Sequence, residues 1–163
     1  MFPNNGFGMA TNSRAAKIGQ FRFARLDPLD EALELMFFGW KGSIRQADMY
    51  LASVGLYRVH HRILYAIARR DDLTVGELHE ILSISKQALH RPMKQLFDQG
   101  FVESTRSPTS HRHKILRLTP KGKRTERAAS NREREIIGKA FAKVGKSGCE
   151  SWSDVMAFVT DNG

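Results

Sequence analysis

Residues 74–106, TVGELHEILSISKQALHRPMKQLFDQGFVESTR, constrain the fold more than any other stretch, because their periodicity changes partway along. Thr74 and Glu77 have the spacing of a capping box, in which hydroxyl and carboxylate satisfy each other's backbone amides. That box opens a short helix, VGELHEIL, with Leu78, Ile81 and Leu82 facing inward. Ser83-Ile84 leaves room only for a tight turn, and Ser85 is a second N-cap. The next helix runs from Lys86 to about Gln99, its buried stripe drawn from Ala88 or Leu89, Met93, Leu96 and Phe97. Gly100 stands where a helix end favours a left-handed residue. From Phe101 the period falls from about 3.6 to about 2 residues. FVESTR alternates, SPTSHRH interrupts, and KILRLT alternates again, which reads as a hairpin with a long tip. A short helix, a tight turn, a polar-faced helix and a hairpin together make a winged helix-turn-helix.

The flanks are helical by period. Asp27-Pro28 reads as an N-cap followed by proline at the first helical position. Leu29, Leu33, Met36, Phe37, Trp40, Ile44, Ala47 and Leu51 then form one apolar stripe, ended by Gly55. A second helix, from about Leu56 to Arg70, places Val59, Ile63, Ala66 and Ile67 on one face. Thr119-Pro120 starts another long helix, to about Val144. Ser147 to Glu150 has the spacing of a further capping box, before a last helix from Glu150 to about Asp161. The expected organisation is a disordered N-terminal arm over 1–20, an N-terminal helix within 21–55, the winged helix over 56–119 and C-terminal helices over 120–163. The fold class is mainly α with a small β-hairpin wing.

Charge narrows the partners. Eleven cations against three carboxylates lie between Ser85 and Arg127, nearly the whole +9 excess of the chain, whereas Asp27 to Asp48 is net negative. A basic block within a folded segment favours a polyanion-binding face over a generally basic protein; a solvated charged surface is the competing reading. No apolar run reaches the roughly 18 residues of a membrane span. The first 20 residues lack a secretory signal pattern, so neither membrane nor secretion is expected. The single cysteine, Cys149, fits a reducing, cytoplasmic setting.

The order L…L…S…L…L…GFVE…R…LRLTPKG, with long flanking helices, resembles the MarR family of bacterial transcription regulators over roughly residues 28–160. The resemblance implies a homodimer whose terminal helices interlock, presenting two winged-helix lobes to a palindromic operator in double-stranded DNA. The helix Lys86 to Lys94 then becomes the recognition helix. Lys86, Gln87, His90 and Arg91 are its candidate base readers, since glutamine pairs bidentately with adenine and arginine with guanine. Ser85 and Lys94 are placed for phosphates. The wing supplies Arg106, His111, Arg112, His113 and Lys114. Relatives usually carry Asp-x-Arg at this tip; here Ser110 stands where the aspartate is expected, a weaker brace for Arg112. Pro92 removes the hydrogen bond to the Ala88 carbonyl, a loss of about 3 kcal/mol in isolation, and is expected to bend or loosen the helix.

Family members often bind aromatic or phenolic anions between the dimer helices and the DNA-binding lobe. Met36, Phe37, Trp40, Tyr57, His61 and Arg62 are the candidates for such an effector pocket; the competing and preferred reading is that the aromatics are dimer core. His111-x-His113 has no third ligand nearby in sequence, and His60-His61 diverge by about 100° on a helix, so no metal and no cofactor is expected. Cys149 lies at the start of the last helix, where a helix N-terminus can acidify a thiol, but the preferred reading is structural or incidental. No Gly-rich phosphate loop, nucleophile elbow or carboxylate cluster supports an enzyme. The expected function is sequence-specific binding of double-stranded DNA by a homodimeric transcriptional regulator, acting as a repressor relieved by a small aromatic or phenolic ligand; the alternative is a winged helix used only to bind proteins, without sequence-specific DNA binding.

Overall fold

A computed structural model describes residues 27–106 and 114–163, Arg106 by its backbone alone. The expected arm over 1–20 and the wing tip from Ser107 to His113 lie outside the described residues. The elements run α1 (Pro28–Ser53), α2 (Arg58–Arg69), α3 (Val75–Ile81), α4 (Lys86–Asp98), β1 (Val102–Arg106), β2 (Lys114–Leu118) and α5 (Pro120–Asn162).

Local chemistry sets most of these boundaries. Asp27 Oδ1 accepts the Leu29 amide at 2.8 Å, capping α1. The helix ends through Gly55, whose φ of +74° is left-handed, and the Leu56 amide returns to the Leu51 carbonyl at 2.9 Å. The Thr74–Glu77 capping box forms in both directions. Ser83, at φ +51°, makes the tight turn, and the Ile84 amide reaches back to the His79 carbonyl. Ser85 Oγ accepts the Ala88 amide at 3.1 Å and starts α4. That helix continues unbroken through Pro92 to Asp98. Gly100, at φ +69°, closes it, and Thr119 caps α5 with Pro120 behind it.

Contacts divide the chain after Gly42, and the core lies in the second unit, Ser43–Gly163. Leu51, Leu56, Ile63, Leu64, Leu78, Leu89, Leu96, Phe101 and Leu116 are its large buried side chains. Removing each such aliphatic side chain from water stabilises the fold by roughly 1.5–3 kcal/mol. The two strands pair antiparallel, from Val102↔Leu118 to Arg106↔Lys114. An isolated bridge, Thr74↔Ile115, and the Leu116 amide on the Leu73 carbonyl at 2.7 Å tie β2 to the segment between α2 and α3.

Four expectations need correction. The capping box at Ser147–Glu150 does not start a helix: Gly145 makes the break, at φ +71° and ψ −175°, and Ser147 lies inside the resumed helix, its carbonyl accepting from Ser151 Oγ. Only glycine takes that φ without strain, so the break falls two residues earlier than the cap pattern implies. The second helix starts at Arg58 rather than Leu56, because Leu56 is consumed by the α1 C-cap and is itself core. Ile81 and Phe97, read as inward, are 40% and 37% exposed. Each lies at the margin of its helix's buried face, where a short helix is covered on one side only.

Candidate nucleic-acid interface

α4 is oriented from its apolar side. Leu89, Met93 and Leu96 are buried, fixing the opposite face outward. Ser85, Lys86, Gln87, His90, Arg91 and Lys94 are all exposed. Lys86 and Gln87 are the first two helical residues, and His90 and Arg91 follow one turn later. Backbone amides at this end add a positive partial charge to the cationic side chains. Lys94 sits one turn further on in an exposed ion pair, its Nζ 2.6 Å from Asp98 Oδ2. At the other flank Gln95 Nε2 donates to the Gly55 carbonyl at 3.0 Å, tying α4 to the end of α1.

The C-terminal end of α4 is locked to the wing and to α5 through one residue. The Phe101 amide donates to the Leu96 carbonyl, and the Phe101 carbonyl accepts from the Thr119 amide at 3.1 Å. Thr119 Oγ1 reaches the Gly100 carbonyl at 2.7 Å, and Lys121 Nζ donates to the Gln99 carbonyl while lying 4.1 Å from the Phe101 ring centroid. The pieces GFVE and LTPKG, far apart in sequence, are therefore one structural joint.

Of the wing residues, Lys114 is exposed at the start of β2, and its Cα pairs with that of Arg106. His111, Arg112 and His113, with Ser110, lie outside the described residues. The sequence reading missed two residues at the wing's base: Arg117 Nη2 lies 2.5 Å from Asp72 Oδ1. No sequence signal marked the pair; Asp72 itself holds φ +55°, a conformation aspartate tolerates better than most residues.

The effector-pocket candidates fall in both units. Met36, Phe37 and Trp40 are exposed on the first half of α1. In the second unit Tyr57 is exposed, and Arg62 lies over the Tyr65 ring at 5.7 Å. His61 is 1% exposed, with Nδ1 3.0 Å from Arg58 Nη1 and Nε2 3.2 Å from Ser130 Oγ. Burial holds its pKa below the ordinary value, Glu133 pulling it up and Arg58 down. Cys149 is half-buried, its Sγ 3.9 Å from the Phe141 carbonyl within α5. Among the described residues no three of His, Cys, Asp and Glu gather as metal ligands, and no helix is long and apolar enough to cross a membrane.

Comparison with known proteins follows the same lines. The family model of the MarR family matches residues 54–113. The HTH-type transcriptional regulator PetP of Rhodobacter capsulatus is 32% identical over 135 residues, 83% of this chain and 81% of that protein. Among solved structures, a mutant MarR from E. coli complexed with operator DNA matches with a TM-score of 0.61 at 19% identity, covering 82% of this chain and 99% of its own. CouR from Rhodococcus jostii RHA1, bound to p-coumaroyl-CoA, matches with a TM-score of 0.69 at 15% identity, covering 85% of this chain and 98% of its own. At these identities the structural likeness establishes the fold.

Proposed function

This chain belongs to the MarR family of winged helix-turn-helix transcriptional regulators, a non-enzymatic family, and on that premise we propose that two copies grip one palindromic operator and repress the gene beside it. The observation that carries this reading is the outward row Lys86, Gln87, His90 and Arg91 on a helix whose other face is anchored in the core. An α-helix fits the B-DNA major groove, about 12 Å wide, and residues at its N-terminal end reach base edges first. Ser85, Lys94, Arg106 and Lys114 take phosphates. Arg112 enters the minor groove, flanked by His111 and His113, where a narrow groove concentrates negative potential.

Pairing of chains is supported by what one chain leaves uncovered. On α1, Leu29, Leu33, Phe37 and Trp40 are 55–75% exposed, and near the C-terminus Trp152, Val155 and Phe158 are 50–69% exposed. Apolar rows of this length on a single chain mark a surface that a partner covers. We place the two recognition helices about 34 Å apart, one turn of DNA.

A small aromatic or phenolic effector is the second part of the proposal, supported by the coumaroyl-CoA complex of the similar CouR and by the aromatic rings of Phe37, Trp40 and Tyr57, with Met36 and Arg62 as apolar and cationic candidates. His61, buried with both ring nitrogens engaged, is not among the groups that would touch it. Such a ligand relieves repression only by binding one lobe spacing better than another. The test is selection of bound fragments from random duplex DNA, with and without p-coumaroyl-CoA and simple phenolic acids. Enrichment of a palindrome with half-sites one turn apart is expected. Recovery of unenriched DNA, or none, overturns the reading in favour of a protein-interaction module.

A further inference from the structure

One guanidinium joins three helices. Arg58, at the start of α2, donates from Nη2 to Asp48 Oδ1 at 2.5 Å and to the Ile44 carbonyl at 3.1 Å, both on α1. From Nη1 it donates to Glu133 Oε1 on α5 and meets His61 Nδ1 at 3.0 Å. The other ring nitrogen of His61 lies 3.2 Å from Ser130 Oγ. That hydroxyl is 2.6 Å from Glu126 Oε1, which also accepts from Arg69 Nη1 at 2.7 Å.

The proton positions follow from donor counts. Ser130 has one hydroxyl hydrogen, and an ionised carboxylate can only accept. The hydrogen therefore goes to Glu126, and Ser130 Oγ accepts from His61 Nε2–H. A neutral imidazole carries one N–H, so Nδ1 is bare and accepts from Arg58. Both ring nitrogens are thus satisfied in the neutral form. Protonation would place an N–H on the atom facing a guanidinium 3.0 Å away, two donors of like charge. The nearest relief is Glu133 Oε1, 3.5 Å from Nδ1, the oxygen that Arg58 already holds. Imidazolium and guanidinium would compete for one carboxylate. The charged groups around the ring are Arg58 and Arg62 from α2 and Glu126 and Glu133 from α5, with Asp48 of α1 beyond Arg58.

We propose that His61 is a positioning residue: neutral, it accepts from Arg58 and leaves that guanidinium bridging Asp48 of α1 and Glu133 of α5; protonated, it repels Arg58 and competes with it for Glu133, so the bridge through Arg58 opens and the three-helix junction loosens. α2 packs against α3, α4 and β2 as well as α5, so this junction sets how the winged helix is held on the long helix. The consequence for DNA, a weaker grip in acid, rests on the operator-binding reading above; the junction itself does not. Burial keeps the imidazole neutral at neutral pH, so the change falls on the acid side of about 6.5.

The test compares the whole protein with His61→Gln, which cannot gain a proton, by amide hydrogen exchange at about pH 7.5 and about pH 5, corrected for intrinsic rates. In the native protein the opening of residues 126–134, on the α5 side of the junction, should rise about tenfold in acid, and His61→Gln should not show that rise; residues 58–69, where His60 also titrates, should open more in the native protein than in His61→Gln. An equal rise in both, or none in the native protein, overturns the proposal. Should His61→Gln fail to fold, Glu133→Gln gives the second reading: without the carboxylate the acid midpoint moves down, and an unmoved midpoint overturns the proposal. Affinity for a selected duplex, measured over the same range, should follow the exchange midpoint. Absence of any duplex binding at pH 7.5 counts against the operator-binding reading and leaves the exchange result to decide the junction.

Discussion

Gly122 packs directly against the Phe101 carbonyl: a Cβ at that position would stand 2.0 Å from the oxygen. Phe101 cannot retreat, because its amide is held by Leu96 and its carbonyl by Thr119. The first turn of α5 therefore meets the segment joining α4 to β1 at backbone distance, and since the Phe101 amide is bonded to the Leu96 carbonyl of α4, this contact holds the recognition helix to the long helix.

Gly122→Ala should lower the denaturant midpoint. Alanine gains about 1 kcal/mol of helix propensity over glycine. Here the added methyl meets backbone rather than a flexible side chain, and overpacking of that kind costs about 1–3 kcal/mol. The clash wins, and a midpoint equal to or above the native value would show that the joint is looser than its geometry implies.

Arg91→Ala should relax base preference at one position of the selected site, with a loss of about 1–3 kcal/mol for the preferred base. Arg112→Ala should weaken binding evenly across sequences and reduce the salt slope by about one. Competition titrations with mutated duplexes separate the two. Unchanged affinity for Arg112→Ala would remove the wing from the interface.

Arg117→Ala should change stability by less than about 1 kcal/mol, because its pair with Asp72 is exposed. Its effect should appear instead as faster amide exchange in β1 and β2, whose link to the α2–α3 segment loses its side-chain brace. Protection unchanged in both strands would assign the wing's attachment to the Leu116–Leu73 backbone bond alone.

Stability should fall in mild acid. Burial holds the pKa values of both His60 and His61 below normal, with the Gln95 side chain pulling His60 up and Glu133 pulling His61 up. His60 Nδ1 accepts the Tyr57 amide at 2.9 Å, a bond that protonation must break. Unfolded histidines titrate near about 6.5, so between the depressed folded values and that point the unfolded chain binds more protons. Stability is therefore full above about pH 6.5, falls as pH drops through that window, and this contribution levels off below the folded values. Denaturant midpoints at half-unit pH steps check the sign; a midpoint that rises in this window would contradict it.

Phe158→Lys should shift the protein toward monomer in sedimentation experiments, since it places a charge within an apolar row that one chain leaves 42–69% exposed at Val155, Phe158 and Val159. Retention of the same oligomer would move the pairing surface elsewhere.

Much of the fold was legible because it is written in local chemistry. Caps at Asp27, Thr74, Ser85 and Thr119 act within three residues of themselves, and the change of period at Phe101 marks where helices give way to strands. The outward row of α4 was readable for the same reason, since helical spacing separates Lys86, Gln87, His90 and Arg91 from Leu89 and Met93. Tertiary structure alone decided what distant residues do together. No local pattern announces that Arg117 meets Asp72, that Gly122 must be small for Phe101, or that Arg58, His61, Ser130 and Glu133 share one set of protons. Periodicity reports which face of an element is apolar; which partner lies across from it depends on how the chain returns, and that is settled only by packing the whole.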